Sequence, residues 1–314
     1  MKIRCSFLLF ILVALLITVG CAHNKMMEGY NAVEWFEIGR QASNDNRLDK
    51  ALDAFNKSIE LDPKVAEAYV NRGRVYYHLG HYRQAIEDID KAIELNPEDT
   101  ALYNNRGIVY CELSNYDQAI KDIDKAIELN PQDAEFYNNR ASIYYQLGNH
   151  SRAITDYNKA IETNPQLAGA YVNRGNTYAD LGNHNQAIMD YSKVIEINPQ
   201  YIDAYYKRGL TYSKLGKDNQ AIKDYDKIIE LNPQDAKAYY NRGLAYSKLS
   251  NDNQAIKDYD KAIELNPQDA KAYYNRGTTY SKLGNDNRAY ADYKIAATLG
   301  LKEAKDIVGG CNCR

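Results

Sequence analysis

Between Asp235 and Leu249 the apolar residues Ala236, Tyr239, Tyr240, Gly243 and Tyr246 recur at three- and four-residue steps. Between Asn251 and Leu265 the same steps recur with Ala255, Ile256, Tyr259 and Ile263. This is the spacing of one helix face, not the alternation of a half-buried strand. A Leu-Gly or Leu-Ser pair such as Leu215-Gly216 separates the two stretches, and an Asn-Pro pair ends the second. Proline drives the residue before it out of the α region, so the pattern predicts two helices joined by a tight turn and then stopped.

The pattern is periodic. All seven prolines, Pro63, Pro97, Pro131, Pro165, Pro199, Pro233 and Pro267, are spaced by 34. A fixed period of this kind marks stacked repeats rather than separate globular domains. Eight repeats fill residues 32–303, namely 32–65, 66–99, 100–133, 134–167, 168–201, 202–235, 236–269 and 270–303; the eighth has Leu301 in place of the proline. Position four is aromatic in all eight, from Trp35 and Tyr69 to Tyr273. Position eight is glycine in seven and Ala141 in the fourth, and position twenty is always alanine, from Ala51 to Ala289. A mid-helix glycine costs about 1 kcal/mol relative to alanine. Its recurrence therefore predicts a close approach of two helix backbones, with glycine of one helix meeting alanine of the other.

Repeats two to eight carry arginine at position seven and aspartate at position twenty-three, as in Arg72 and Asp88, Arg208 and Asp224, and Arg242 and Asp258. Each stands eight residues from the turn, about 12 Å along its helix at 1.5 Å per residue, so the two lie level across the hairpin. A structural ion pair is expected, within a repeat or across neighbours. Repeat one has Ile38 and Ala54 instead.

The order aromatic, Gly or Ala, Tyr, Ala, aromatic, Ala and Pro closely resembles the tetratricopeptide repeat family, over 272 of 314 residues. The resemblance implies an all-α, right-handed α-solenoid of antiparallel helix pairs with a concave peptide-binding groove. A short capping helix over Lys302–Val308 is expected to cover the last core edge through Leu301, Ala304, Ile307 and Val308, with a flexible tail after it.

Composition narrows the function. The net charge of −3 excludes a strongly basic nucleic-acid binder, and five cysteines are too few for a disulfide scaffold. Residues 1–20 combine Lys2 and Arg4 with an uncharged run from Cys5 that is short for a membrane span, the architecture of a secretory signal. The run ends Ile17-Thr18-Val19-Gly20-Cys21, which resembles the lipobox of bacterial lipoproteins. That resemblance implies lipidation of Cys21 and a polar tether to Asn31. With Ala22 after the cysteine, it also implies the periplasmic face of the outer membrane in the bacterial envelope. No convergent catalytic set is evident: there is no His-Glu-x-x-His, phosphate loop or Gly-x-Ser-x-Gly. His150 and His184 share one turn-proximal position by repetition, and Cys311 and Cys313 alone make an incomplete zinc site. Neither a cofactor nor a metal nor a small-molecule substrate is expected.

In the family, positions two, five, nine, twelve and thirteen of the first helix tend to face the groove. Carried over, repeats two to five give Glu67, Glu112, Glu135 and Asp180, whereas repeats six to eight give Lys214, Lys237, Lys248, Lys271 and Lys282, with Asp203 at the boundary. Position five changes from Val70, Asn104, Asn138 and Val172 to Tyr206, Tyr240 and Tyr274, next to Lys207, Asn241 and Asn275. The groove is then bipolar, and its basic end, with Lys237 and Lys271 as anchors, suits an acidic or C-terminal peptide segment. The chaperone-type carboxylate clamp is absent, since position five beside Asn176 is Val172. The alternative is that these are solvated faces copied among similar repeats. The expected function is a non-enzymatic interaction scaffold; the alternative is a regulatory or targeting subunit of an envelope enzyme or of a secretion or pilus assembly machine.

Overall fold

The computed structural model describes residues 29–311, so the signal-like segment, Cys21 and most of the tether lie outside the described residues. All regular structure among the described residues is helical. The first four repeats form α1 (Ala32–Asn44), α2 (Leu48–Leu61), α3 (Ala66–His78), α4 (Tyr82–Leu95), α5 (Thr100–Glu112), α6 (Tyr116–Leu129), α7 (Ala134–Gln146) and α8 (His150–Thr163). The last four form α9 (Ala168–Asp180), α10 (His184–Ile197), α11 (Ile202–Lys214), α12 (Asp218–Leu231), α13 (Ala236–Lys248), α14 (Asp252–Leu265), α15 (Ala270–Lys282) and α16 (Asp286–Thr298), followed by α17 (Lys302–Cys311). Asn31, the end of the expected tether, caps α1: its side chain accepts from the Val33 and Glu34 amides while Glu34 accepts from the Asn31 amide.

These helices form two compact units, one ending at Ile143 and one starting at Tyr144, with the division inside α7. Within each unit, small core layers join the pair of one repeat to the first helix of the next. In the N-terminal unit Tyr69 of α3, Ala85 and Ile89 of α4, and Leu102 and Val109 of α5 make one layer. In the C-terminal unit Tyr205 of α11, Ala221, Tyr225 and Ile228 of α12, and Ala238 of α13 make another. Neighbour-only packing of this kind is how a repeat array builds a core from units too small to hold one.

The close approach at position eight is present, with a different partner from the one expected. A Cβ built on Gly175 would stand 2.8 Å from the Tyr191 ring and 3.2 Å from Asp190 Cβ. On Gly107 it would stand 2.9 Å from Ile123 and 3.1 Å from the Ala119 carbonyl oxygen. Position twenty-four fills the space, and alanine at position twenty contributes its backbone carbonyl rather than its methyl. The squeeze varies, since at Gly73 the nearest atoms lie at 3.3 Å. Thermal or urea melting is therefore expected to show Gly175→Ala losing about 1–2 kcal/mol to overpacking. Gly73→Ala stays near neutral, its helix-propensity gain of about 1 kcal/mol offsetting a milder squeeze. Equal losses at both sites would refute the assignment to the residue at position twenty-four.

The arginine–aspartate register holds. Arg208 donates from Nε to Asp224 Oδ2 at 3.0 Å and from Nη2 to Oδ1 at 2.6 Å, a bidentate pair. Arg242 meets Asp258 in the same way at 2.8 and 2.7 Å. Each guanidinium also reaches back to position twenty-five of the preceding repeat, Arg208 to Ser192 Oγ at 2.9 Å and Arg242 to Asp226 at 2.6 Å. One side chain thus bonds within its repeat and across to the neighbour. At the C-terminus Ala304 is fully buried against the last repeat, and α17 runs on through Gly309, Gly310 and Cys311 where a flexible tail was expected. Extending a helix already nucleated adds a hydrogen bond per residue fixed, so even glycine can be carried along.

Candidate functional site

In the C-terminal unit the first helices α9, α11 and α13 present successive turns to one cavity of about 590 Å³. Helix α9 contributes Asn176 and Asp180, α11 contributes Lys207, Leu210 and Lys214, and α13 contributes Asn241, Leu244 and Lys248. Helical spacing explains the set: positions six, nine and thirteen lie on one stripe of a first helix. Behind them are the rings of Tyr191 and Tyr225 from α10 and α12, both buried.

The cavity is polarised. Lys214 has no ion-pair partner among the described residues, Lys207 stands 3.6 Å from Asp203, and Lys248 stands 3.5 Å from Asp218 and donates to the Ser213 carbonyl at 3.3 Å. On another wall the Asp180 carboxylate accepts the Tyr145 hydroxyl, which that hydrogen bond, then burial, holds above its usual pKa. The Tyr191 hydroxyl donates to Asn176 Oδ1 at 3.0 Å, which occupies the amide's acceptor and leaves its NH₂ to donate. The Tyr225 hydroxyl is buried with no hydrogen bond of good geometry, and burial pushes its pKa up to about 12, a rise that the Ser213 side chain partly opposes. An unmade bond of that kind costs about 1–3 kcal/mol. An acceptor arriving in the cavity would recover part of it.

Four of the groove residues expected from the sequence, Lys207, Lys214, Asn241 and Lys248, meet at this cavity. Lys237 and Lys271 are exposed in the first turns of α13 and α15, outside its lining. Tyr206, Tyr240 and Tyr274 pack edge-on or tilted against Tyr225, Tyr259 and Tyr293, with ring centroids 6.3, 6.2 and 5.5 Å apart. The Tyr206 hydroxyl donates to Asp235 at 2.9 Å, and that of Tyr240 accepts from Asn275 at 2.9 Å. The Tyr206 hydroxyl thus holds the last residue of its own repeat, the N-cap of α13, and the Tyr240 hydroxyl meets the next repeat.

A link between positions twelve and thirteen escaped the sequence reading. Tyr77 donates to Glu112 and Tyr145 to Asp180, whereas Lys248 donates to Ser213 and Lys282 to Ser247 Oγ. The signal was there: tyrosine precedes an acid one repeat later, and serine precedes a lysine. Glu67 and Glu135 in the N-terminal unit are exposed. Burial, then Glu112, pushes the Cys111 thiol up to about 11, which leaves little thiolate at neutral pH. Among the described residues no group of three or more His, Cys, Asp and Glu is placed to hold a metal ion.

Family models described as TPR repeat or tetratricopeptide repeat match residues 38–103, 101–133, 123–155, 141–182, 175–216, 202–235, 236–269 and 258–291. The chain belongs to the tetratricopeptide repeat family. The crystal structure of YrrB, described as a TPR protein with an unusual peptide-binding site, is similar at 27% identity and TM-score 0.52 over 57% of this chain and 93% of that one. The MamA protein is similar at 28% identity and TM-score 0.52 over 56% of this chain and 96% of that one. The C-terminal part of a TPR repeat-containing protein from Cytophaga hutchinsonii shares the fold at 21% identity and TM-score 0.63, over 76% and 98% of the two chains. No match was found among proteins of curated function. Tetratricopeptide repeats and a peptide-binding structural relative make this chain a protein-interaction scaffold.

Proposed function

We propose that the C-terminal unit holds an acidic segment of a partner protein in the cavity between α9, α11 and α13, and that the chain acts there without catalysis of its own. The observation that carries this is the meeting of Lys207, Lys214 and Lys248 around a buried, unbonded Tyr225 hydroxyl. Carboxylates accept from ammonium, amide and hydroxyl donors alike. Lys214 and Lys248 supply the charge, Asn241 and Asn176 amide donors, and Tyr225 the buried hydroxyl. Asp180 disfavours a long uniformly acidic run, so the ligand is a segment with one or a few carboxylates. The lipobox-like Ile17–Cys21 supports tethering of this scaffold by a lipid on Cys21 at the periplasmic face of the bacterial outer membrane. Mass analysis of the N-terminal peptide checks that part.

The binding is measured by fluorescence anisotropy with a labelled ten-residue alanine-based peptide that carries two Glu residues. Affinity is expected to fall about tenfold or more in Lys214→Glu plus Lys248→Glu, and to weaken from 50 to 300 mM salt as exposed charges are screened. Lys237→Glu plus Lys271→Glu, outside the cavity, is expected to change it by no more than about twofold. Equal losses for the two pairs would point to bulk charge and not to the cavity.

A further inference from the structure

The N-terminal unit holds a second cavity, of about 230 Å³, between α3 and α5. Its wall is apolar at Val70, Ile89, Ile108 and Val109 and polar at Arg74, Tyr77, His78 and Asn105. The size of two residues explains the opening. Positions five and twenty-four of repeat two are Val70 and Ile89, whereas repeats six to eight place a tyrosine at each and pack the two rings together. The lining reports the consequence. In repeat six the cavity touches Leu210 and Tyr225 but neither Tyr206 nor Gly209; in repeat two it extends to Val70 and Gly73. The Tyr206 ring therefore closes a space that repeat two leaves open.

The polar end of that space is retained as well. Asn275, at position six of repeat eight, donates to the Tyr240 hydroxyl at 2.9 Å. Position six of repeat three is Asn105, which lines the open cavity. An engineered apolar cavity of about 150 Å³ is enough to bind benzene, so 230 Å³ accommodates a phenol. We propose that this cavity takes the tyrosine side chain of a partner segment, the ring lying on Ile89 and Ile108 and the hydroxyl accepting from Asn105. The chain's own tyrosines at position five show the arrangement it would copy. This rests on the reading that the repeats bind peptide segments and adds the residue that the N-terminal unit selects.

The test is methyl NMR of the full-length protein titrated with N-acetyl-tyrosinamide, N-acetyl-phenylalaninamide and N-acetyl-leucinamide. The tyrosine probe is expected to move the methyl resonances of Val70, Ile89, Ile108 and Val109 and to bind about two- to tenfold tighter than the phenylalanine probe, the range of one net hydrogen bond. Asn105→Leu should erase that preference. Val70→Tyr installs the plug found in repeats six to eight, so it should abolish binding while leaving the melting temperature unchanged or raised, which separates lost binding from lost folding. The proposal is overturned if these methyls do not move, if they still move in Val70→Tyr, or if leucinamide binds best. The acidic-segment reading is measured separately, by the anisotropy of the labelled acidic peptide, so either can fail without the other.

Discussion

Replacing Arg208 with leucine is expected to lower the stability of the C-terminal unit by about 3–5 kcal/mol, the cost of leaving a buried charge without its partner. Asp224 is the reason. Its side chain is only 4% exposed, against 19% for Arg208, and burial already raises its pKa despite the arginine's two hydrogen bonds. Without Arg208 nothing nearby opposes that rise. A carboxyl whose folded pKa is raised gives stability that is present at low pH and lost as pH climbs through the folded value. The penalty of Arg208→Leu should therefore be largest near pH 7 and shrink toward pH 4. Asp224→Leu costs less, about 1–3 kcal/mol, because the half-buried guanidinium keeps Ser192 and part of its hydration. The double variant should lose less than the sum of the singles, since two apolar side chains replace a pair whose desolvation roughly offsets its attraction. Urea unfolding at two pH values measures all of this, and strictly additive losses would refute the pairing.

Tyr225 carries the second large effect, in two directions. Its ring is fully buried, in contact with Tyr206 and in one core layer with Tyr205, Ala221 and Ile228. Tyr225→Ala is therefore expected to cost about 3–5 kcal/mol as a large-to-small core change. Tyr225→Phe keeps the ring and removes only the unbonded hydroxyl, so it should leave stability unchanged or raise it by about 1 kcal/mol. The same change should weaken the acidic peptide about two- to tenfold, the size of one net hydrogen bond. A destabilised Tyr225→Phe would mean that the hydroxyl has a partner in the folded protein. Unchanged peptide binding would mean that it does not face the ligand.

Local pattern made most of the fold legible. The spacing of Pro63 to Pro267 set the repeat, Leu-Gly and Asn-Pro pairs set the helix ends, and equal distances from the turn placed Arg208 against Asp224. The second bond of each arginine goes to a residue outside the Arg–Asp register, in the preceding repeat. Position twenty-five, sixteen residues behind, is polar at Asn56, Asp90, Asp124, Asn158, Ser192, Asp226 and Asp260, and that row was available. The site was legible where charge on an exposed helix stripe decides it, as for Lys214 and Lys248. It was not legible for Tyr206, Tyr240 and Tyr274, since whether a position-five ring faces solvent depends on the residue at position twenty-four of the packed helix. Nor could composition reveal that Val70 and Ile89 leave a hole, because a cavity is a difference in volume between residues far apart in sequence.

The claim that the C-terminal cavity selects its ligand by charge is tested most directly by reversing that charge. In the unaltered protein the labelled Ala-Glu peptide should bind tighter than its Ala-Lys counterpart. In Lys214→Glu plus Lys248→Glu, with Asp180 unchanged beside them, the order should invert and the basic peptide should bind tighter. A preference that stays the same sign in both proteins would contradict the account.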